Sequence, residues 1–280
     1  MPDDDRARLS IRFWGVRGSL PTPRASHLGV GGNTTCVEVR GPDGRVLVLD
    51  AGTGARALGV ALTADAKGEP VDVDVLFSHF HWDHVQGLPF FAPLYAPGNA
   101  VRLCARASRE DILGAMEAQM RVPFFPVAFG ELGADAEAVP LRDGWPLEVG
   151  AMRVTPFALH HPQGSTGYRI EAGDAVFVFA TDYEHGHPEM EARLVEAARG
   201  ADLLYSDAQY TPDEYALREG WGHTTWEHAA RIAETAGVGR LLLGHHDPAH
   251  DDDALARILS LAQERFPRTD LAREGDEVRL

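Results

Sequence analysis

Lysine is almost missing: Lys67 is the one lysine in 280 residues, and 26 Lys and Arg against 42 Asp and Glu give a formal charge of −16. Nonspecific affinity for nucleic acid comes from releasing counterions to clustered Lys and Arg, so this balance argues against a large polyanionic partner. Arginine is plentiful enough for a local basic patch, but no basic run is long enough to act as an arm. Cysteine is scarce too. Cys36 and Cys104 are too few for a disulfide framework and form no CxxC pair, which fits buried small hydrophobes in a reducing compartment. No apolar run approaches the roughly 20 residues that a bilayer span needs. The acidic opening MPDDDRARLS lacks the basic-then-apolar order of a signal peptide. Together these absences predict a cytoplasmic protein with no membrane partner.

What is present is ordinary globular material, 44% hydrophobic and 24% charged, enough for a sizeable core, and a single domain over 1–280 is the simplest organisation. Strand-like alternation recurs in LSIRFW, TTCVEV, RVLVLD, VDVLF, VRLCA, MRVTPFAL, GYRIEA, AVFVFA, DLLYSD and RLLLG. Helical periodicity marks ARALGVALTA, SREDILGAMEAQM, PEMEARLVEAARG, TWEHAARIAETAG and ALARILSLAQERF. Grouped strands with interspersed helices predict α/β layers. The Pro-, Phe- and Gly-rich stretch at 121–140 reads as an irregular surface excursion.

The chemistry concentrates in SHFHWDH at 78–84, just past the strand-like VDVDVLF. Neutral histidine and ionised aspartate suit borderline divalent metals such as zinc, manganese or iron. In His79-x-His81-x-Asp83-His84 a tight turn can aim alternating side chains at one ion while the adjacent Asp-His pair reaches a second. A structural zinc finger would need a second Cys or His pair about 12 to 20 residues away, and none follows. Late in the chain, Thr224 followed by Glu227 reads as a capping box that sets His223 immediately before a helix N-terminus, a favourable place for a phosphate.

His79-x-His81-x-Asp83-His84 after a strand resembles the signature of the metallo-β-lactamase superfamily. The resemblance implies a four-layer αββα sandwich with one or two metal ions at the edge between its halves, and further ligands on later loops. His160 and His161 in LHHPQGSTGYRI, Asp182 in FATDYE, and His245 and His246 in LLLGHHDP stand in the matching places. The family's ligand is the histidine directly before proline, which favours His161, and the first histidine after the strand, which favours His245. The implied set is then His79, His81 and His161 on one ion, Asp83, His84 and His245 on the other, and Asp182 between them. Zinc is the first expectation, with manganese or iron as alternatives. His27, His185, His187, His228 and His250 lack such a setting and are expected to be locally satisfied.

Four stretches, FWGVRGSLPTP, GGNTTCVEV, LDAGTGAR and WGHTTWEHAARIAETAGVGRLLLGHHDP, resemble the phosphodiesterase branch that includes tRNase Z and cyclic phosphodiesterases, over about residues 11 to 250. Gly222-His223-Thr224-Thr225 matches its Gly-His-Ser/Thr-Thr segment. YSDAQYT stands where tRNase Z has His-Glu-Ala-Thr, with Ser206 for the histidine and Asp207 for the glutamate. The resemblance implies in-line attack by a hydroxide held between the ions, with Asp83 also accepting a proton, His223 stabilising phosphoryl charge or the leaving group, and Asp207 orienting His223. Nothing matches the basic arm with which tRNase Z grips tRNA, so a small or cyclic-nucleotide-like phosphodiester is the expected substrate and tRNA is not. A thioester or lactone hydrolase on the same ions and a noncatalytic metal-binding sensor are the rivals; a redox di-iron protein of the flavodiiron kind would carry glutamate in place of His81. FFAPLYAPG and MRVPFFPVAFG either wall a flat group or belong to the core, and a homodimer through 121–140 is an open expectation. Arg17 either touches substrate or is a surface arginine in a salt bridge.

Overall fold

Alternating apolar residues build the strands, because successive side chains leave a strand on opposite faces. The computed structural model describes residues 8–280; residues 1–7, which hold most of the acidic opening, lie outside the described residues. In chain order the strands are β1 Ser10–Gly15, β2 Cys36–Arg40, β3 Val46–Leu49, β4 Asp72–Leu76, β5 Ala100–Ala105, β6 Asp135–Pro140, β7 Leu147–Val149, β8 Met152–Leu159, β9 Ser165–Ala172, β10 Ala175–Ala180, β11 Leu203–Asp207, β12 Arg240–Gly244, β13 Thr269–Leu271 and β14 Glu277–Arg279. The helices are α1 Ala55–Asp65, α2 Trp82–Val85, α3 Arg109–Gln119, α4 Pro188–Ala198, α5 Pro212–Tyr215, α6 Trp226–Ala236 and α7 Asp252–Arg265.

The strands form two mixed seven-stranded sheets, ordered β14-β1-β2-β3-β4-β5-β6 and β13-β12-β11-β10-β9-β8-β7. β3 shows how sequence assigns faces. Leu47 and Leu49 enter the core between the sheets, whereas Val46 and Val48 pack outward under α1 and α3. On the far side, α4, α6 and α7 bury Leu194, Ile232 and Leu255 against the second sheet. Helices therefore cover both outer faces, and the architecture is the expected αββα sandwich. Two of the long helices show a local start signal: Ser108 accepts from Asp111 N before α3, and Asp251 from Ala254 N before α7. Among the described residues no helix is long and apolar enough to cross a membrane.

The excursion at 121–140 is only partly irregular. Its last six residues are β6, which pairs in parallel with β5 along the sheet edge. DAEAVP has little intrinsic strand character, so long-range pairing overrides the local signal. The three-residue strands β7, β13 and β14 likewise owe their form to partners and are too short to show a period.

Strand direction positions the site. β3, β4, β5 and β6 run parallel, as do β10, β11, β12 and β13. β8 is antiparallel to β9, which is antiparallel to β10, so β8 also ends at the edge where β10 ends. The segments beyond these C-terminal ends meet along one rim, the usual place for chemistry in open α/β sheets. Tyr168 ties the two sheets together beside that rim, donating from Oη to the Phe77 carbonyl at 2.5 Å.

Candidate metal centre

Six strand ends deliver the site: Asp50 follows β3, His79 to His84 follow β4, His161 follows β8, Asp182 follows β10, Asp207 closes β11 and His245 follows β12. Among the described residues, six non-glycine residues have positive φ, and Asp50, Asp182 and His245 are three of them. Ser19, whose N–H donates to Asp83 Oδ2 at 2.8 Å, is a fourth. Left-handed backbone at such residues costs energy and persists where the surroundings over-determine it, typically at functional sites.

Hydrogen bonds fix which nitrogen each histidine presents. His84 Nδ1 donates to Asp50 Oδ2 at 2.8 Å, His161 Nδ1 to the Gly222 carbonyl at 2.7 Å, and His245 Nδ1 to Gln209 Oε1 at 3.0 Å. Each Nε2 is then the nitrogen turned toward the cluster, and His84 Nε2 and His245 Nε2 face one another at 3.2 Å. Asp83 Oδ2 and Asp182 Oδ2 each lie 3.2 Å from both of these nitrogens. Four acceptors do not gather this closely without positive charge among them. A regular tetrahedron of such edges places its corners about 2.0 Å from its centre, the zinc–nitrogen and zinc–oxygen distance. A second cluster joins His79, His81 and His161, with His161 Nε2 3.2 Å from His81 Nδ1. His79 Nε2 is buried without a hydrogen-bond partner and lies 3.8 Å from Asp182 Oδ1. Asp182 thus offers one oxygen to each cluster, and the donor set fits two divalent ions.

Electrostatics agree. Burial and the neighbouring His84 hold His79 well below the ordinary histidine range, and burial lowers His161 as well, so both present neutral nitrogens. Burial opposes charge on His84, but Asp182, Asp83 and Asp50 override it and raise that ring well above its usual range. The metal-free cluster therefore keeps a proton where a divalent ion would displace it.

His223 stands beside the clusters. Burial disfavours its charged form, yet the Asp207 carboxylate, 2.9 Å from Nδ1, lifts it to about 9. Asp207 is held in turn by the backbone N–H groups of Asp182, Gln209 and Thr224. The helix start differs from the expected capping box. Thr224 Oγ1 is engaged by His185 Nδ1 at 2.9 Å, so Thr225 becomes the cap of α6 and accepts from His228 N. His223 accordingly lies two residues before the cap, held by Asp207 and not by the helix end.

Other expectations resolve individually. His160 is exposed with its ring 4.9 Å from His187, and His246 turns into the core, where burial and Arg17 lower it to about 3. Neither joins the clusters. Arg17 touches no site and is not a surface residue: it is fully buried, donating to the carbonyls of Gly31 at 2.7 Å and His250 at 2.6 Å. The aromatic segments divide, with Phe91 and Phe129 in the core and Phe90 and Phe124 exposed. His27 and His250 have local partners in Pro248 O and Glu214, and His187 caps α4. His228 is buried against the His185 ring, and its Nε2 has no hydrogen-bond partner among the described residues, with Glu191 Oε2 3.6 Å away.

Sequence reasoning missed Asp50, Gln209 and Glu184. Buried Glu184 accepts from Tyr215 Oη, Gly220 N and Gly222 N, which fixes the turn whose carbonyl orients His161. Gly222 is required there, since its φ is 89° and a Cβ would lie 2.3 Å from His161 Nδ1. Asp50 lies in LDAGTGAR, a stretch noticed only for its resemblance. Replacing it as Asp50→Asn removes the charge that orients His84, and affinity for the ion at His84 should fall about 10- to 100-fold in competition with a chromogenic chelator. Unchanged affinity would free His84 from that dependence.

A family profile for the β-lactamase superfamily domain matches residues 45–246. An uncharacterized protein of Mycobacterium leprae is 33% identical over 249 residues, covering 82% of this chain and 80% of that protein. A ribonuclease Z of Bradyrhizobium sp. is 26% identical, covering 96% and 99% of the two chains. In fold, the chain is similar to the metallo-β-lactamase fold protein YhfI from Bacillus subtilis, with a TM-score of 0.72, 19% identity and coverage of 98% and 100%.

Proposed function

Because the chain belongs to the metallo-β-lactamase superfamily, on its phosphodiesterase branch, and is a metal-dependent hydrolase, we propose that it cleaves a small phosphodiester, a cyclic-nucleotide-like one included, with two zinc ions held by the seven His and Asp ligands. The observation that carries this reading is the His223–Asp207 pair, an imidazolium beside the ligand clusters but outside the tetrahedron of acceptors. The bound ions would supply Lewis acidity, activating water and neutralising charge on phosphoryl oxygens.

The protein's own residues supply the rest. Asp207 keeps a proton on His223 Nδ1, so the charged ring presents a second N–H at Nε2, which has no protein partner among the described residues. That N–H can donate to a nonbridging oxygen or to the departing one. Asp83 Oδ2 is fixed by Ser19 N, whereas Oδ1 has no hydrogen-bond partner among the described residues and can take the proton of an attacking water. Gln209 and Asp50 lock the rings of His245 and His84, which keeps the centre organised before substrate arrives.

One observation favours a ribonuclease reading: the likeness to ribonuclease Z extends over nearly the whole chain. The charge of −16 weighs against a large polyanion. A substrate panel separates these readings from the thioester and lactone rivals. The zinc- or manganese-loaded protein should hydrolyse a bis-aryl phosphate or a cyclic nucleotide at least 100-fold faster, as kcat/KM, than a thioester, a lactone or a tRNA precursor, and a chelator should abolish the rate. A faster thioester, lactone or tRNA reaction would replace this reading.

A further inference from the structure

We infer that the substrate carries a second anionic group, a carboxylate or phosphate, and that Arg106 selects for it. The inference rests on the phosphodiester reading. A cleft of about 310 Å³ opens directly beside the ligand clusters and shares His79 and His81 with them. Its other walls are Ala105 at the end of β5 with Arg106 and Ala107 after it, and residues 163–166, the turn after His161 and the start of β9. A substrate whose phosphorus lies at the clusters can extend its remaining part into this cleft.

The lining is unusual in charge. The chain carries 42 acidic residues, yet among the described residues no carboxylate lines the cleft and Arg106 is its one guanidinium. Arg106 is also poorly committed. Its Nε lies 3.7 Å from Asp143 Oδ1, and its Nη1 lies 3.4 Å from the Ser165 carbonyl, both longer than a good hydrogen bond. Asp143 is already satisfied, accepting from Ala158 N at 2.8 Å and from Arg193 Nη1 at 2.8 Å. The buried Arg17 shows the alternative, a structural guanidinium on carbonyls at 2.6 and 2.7 Å. Arg106 instead keeps a 27% exposed side chain with donors to spare at the edge of a cleft that ends on metal-ligating histidines. Five N–H donors in a planar fork match a carboxylate or phosphate in two parallel bonds. The turn opposite adds the Gln163 amide, on a residue with φ of 67° that directs the backbone around the cleft mouth.

Three substrates with one leaving group test this: p-nitrophenyl phosphodiesters whose second arm is phenyl, 4-carboxyphenyl or 4-(phosphonomethyl)phenyl. With the metal-loaded wild-type protein, at least one anionic arm should raise kcat/KM about 10- to 100-fold over phenyl, mostly through KM, and the better arm identifies the group. Arg106→Met should collapse that ratio to within about 3-fold, and Arg106→Lys should restore part of it, with metal content and circular dichroism unaltered in both variants. Equal rates for all three arms in the wild type, or a ratio that survives Arg106→Met, would overturn the assignment. Failure to cleave any of the esters would sink the phosphodiester reading instead. The cleft is then read by calorimetric titration with phenyl phosphonate and 4-carboxyphenyl phosphonate, where an Arg106-dependent difference must appear if the inference holds and its absence refutes it.

Discussion

Replacing Asp182 by alanine should abolish hydrolysis and remove half or more of the bound metal. Its two oxygens face different clusters: Oδ2 lies 3.2 Å from both His84 Nε2 and His245 Nε2, and Oδ1 lies 3.8 Å from His79 Nε2. If two ions bind as proposed, one truncation would leave each a ligand short and would also remove negative charge that balances them. Burial alone would raise this carboxyl, but His245, His84 and His79 hold it well below the ordinary carboxylate range, so it is ionised at neutral pH. Asp182 N also donates to Asp207 Oδ2 at 3.2 Å, a backbone contact that alanine keeps, so the His223–Asp207 pair should survive. Elemental analysis reads the outcome directly. Two ions per chain in the Asp182→Ala protein would remove Asp182 from its place between the clusters.

His223→Ala should behave in the opposite way, retaining both ions and losing about 10²- to 10⁴-fold in kcat, the span expected for a positioned acid. His223 belongs to a close group with Asp182, Asp207 and His245, which raises the alternative that it ligates metal. Its Nδ1 is occupied by Asp207 at 2.9 Å, and its pKa of about 9 keeps the ring protonated at neutral pH, the wrong state for a ligand. The loss should shrink for a p-nitrophenyl ester, whose leaving group needs little protonation, if His223 acts as the acid. A uniform loss across leaving groups would assign it to the nonbridging oxygens. Loss of an ion would make it a ligand, and an unchanged rate would leave it without a chemical role.

Much of this was legible in the sequence, and the parts that were not share a cause. Strands such as VLVL at β3 and AVFVFA at β10 announce themselves as continuous runs of β-branched, aromatic and small apolar residues, because almost every position on both faces is buried. β6 does not, since DAEAVP borrows its conformation from β5. The residues brought together around the clusters could be named because they follow strands and stand in a dense motif, His79 to His84, with later histidines one or two residues past a strand. Their supports could not. Asp50, Gln209 and Glu184 are single polar residues in loops, and nothing local separates them from any other loop residue until the fold sets them against His84, His245 and the 220–222 turn. Arg17 misled for a related reason: an arginine in a Gly-rich segment looks available, and only the closure of the His250 and Gly31 carbonyls around it makes it internal. The helix cap moved from Thr224 to Thr225 because a distant histidine, His185, claims the first hydroxyl. Sequence spacing cannot register such competition.

If water attacks phosphorus at this centre, oxygen from solvent enters the phosphoryl product, and isotope incorporation reads it. The metal-loaded protein is given a phosphodiester in water enriched in oxygen-18, and the products are read by phosphorus NMR. The expected product is a phosphomonoester that carries one heavy oxygen on phosphorus, with an unlabelled alcohol or phenol beside it. Heavy oxygen in the alcohol or phenol, or no cleavage of any diester by protein loaded with two ions, would contradict it.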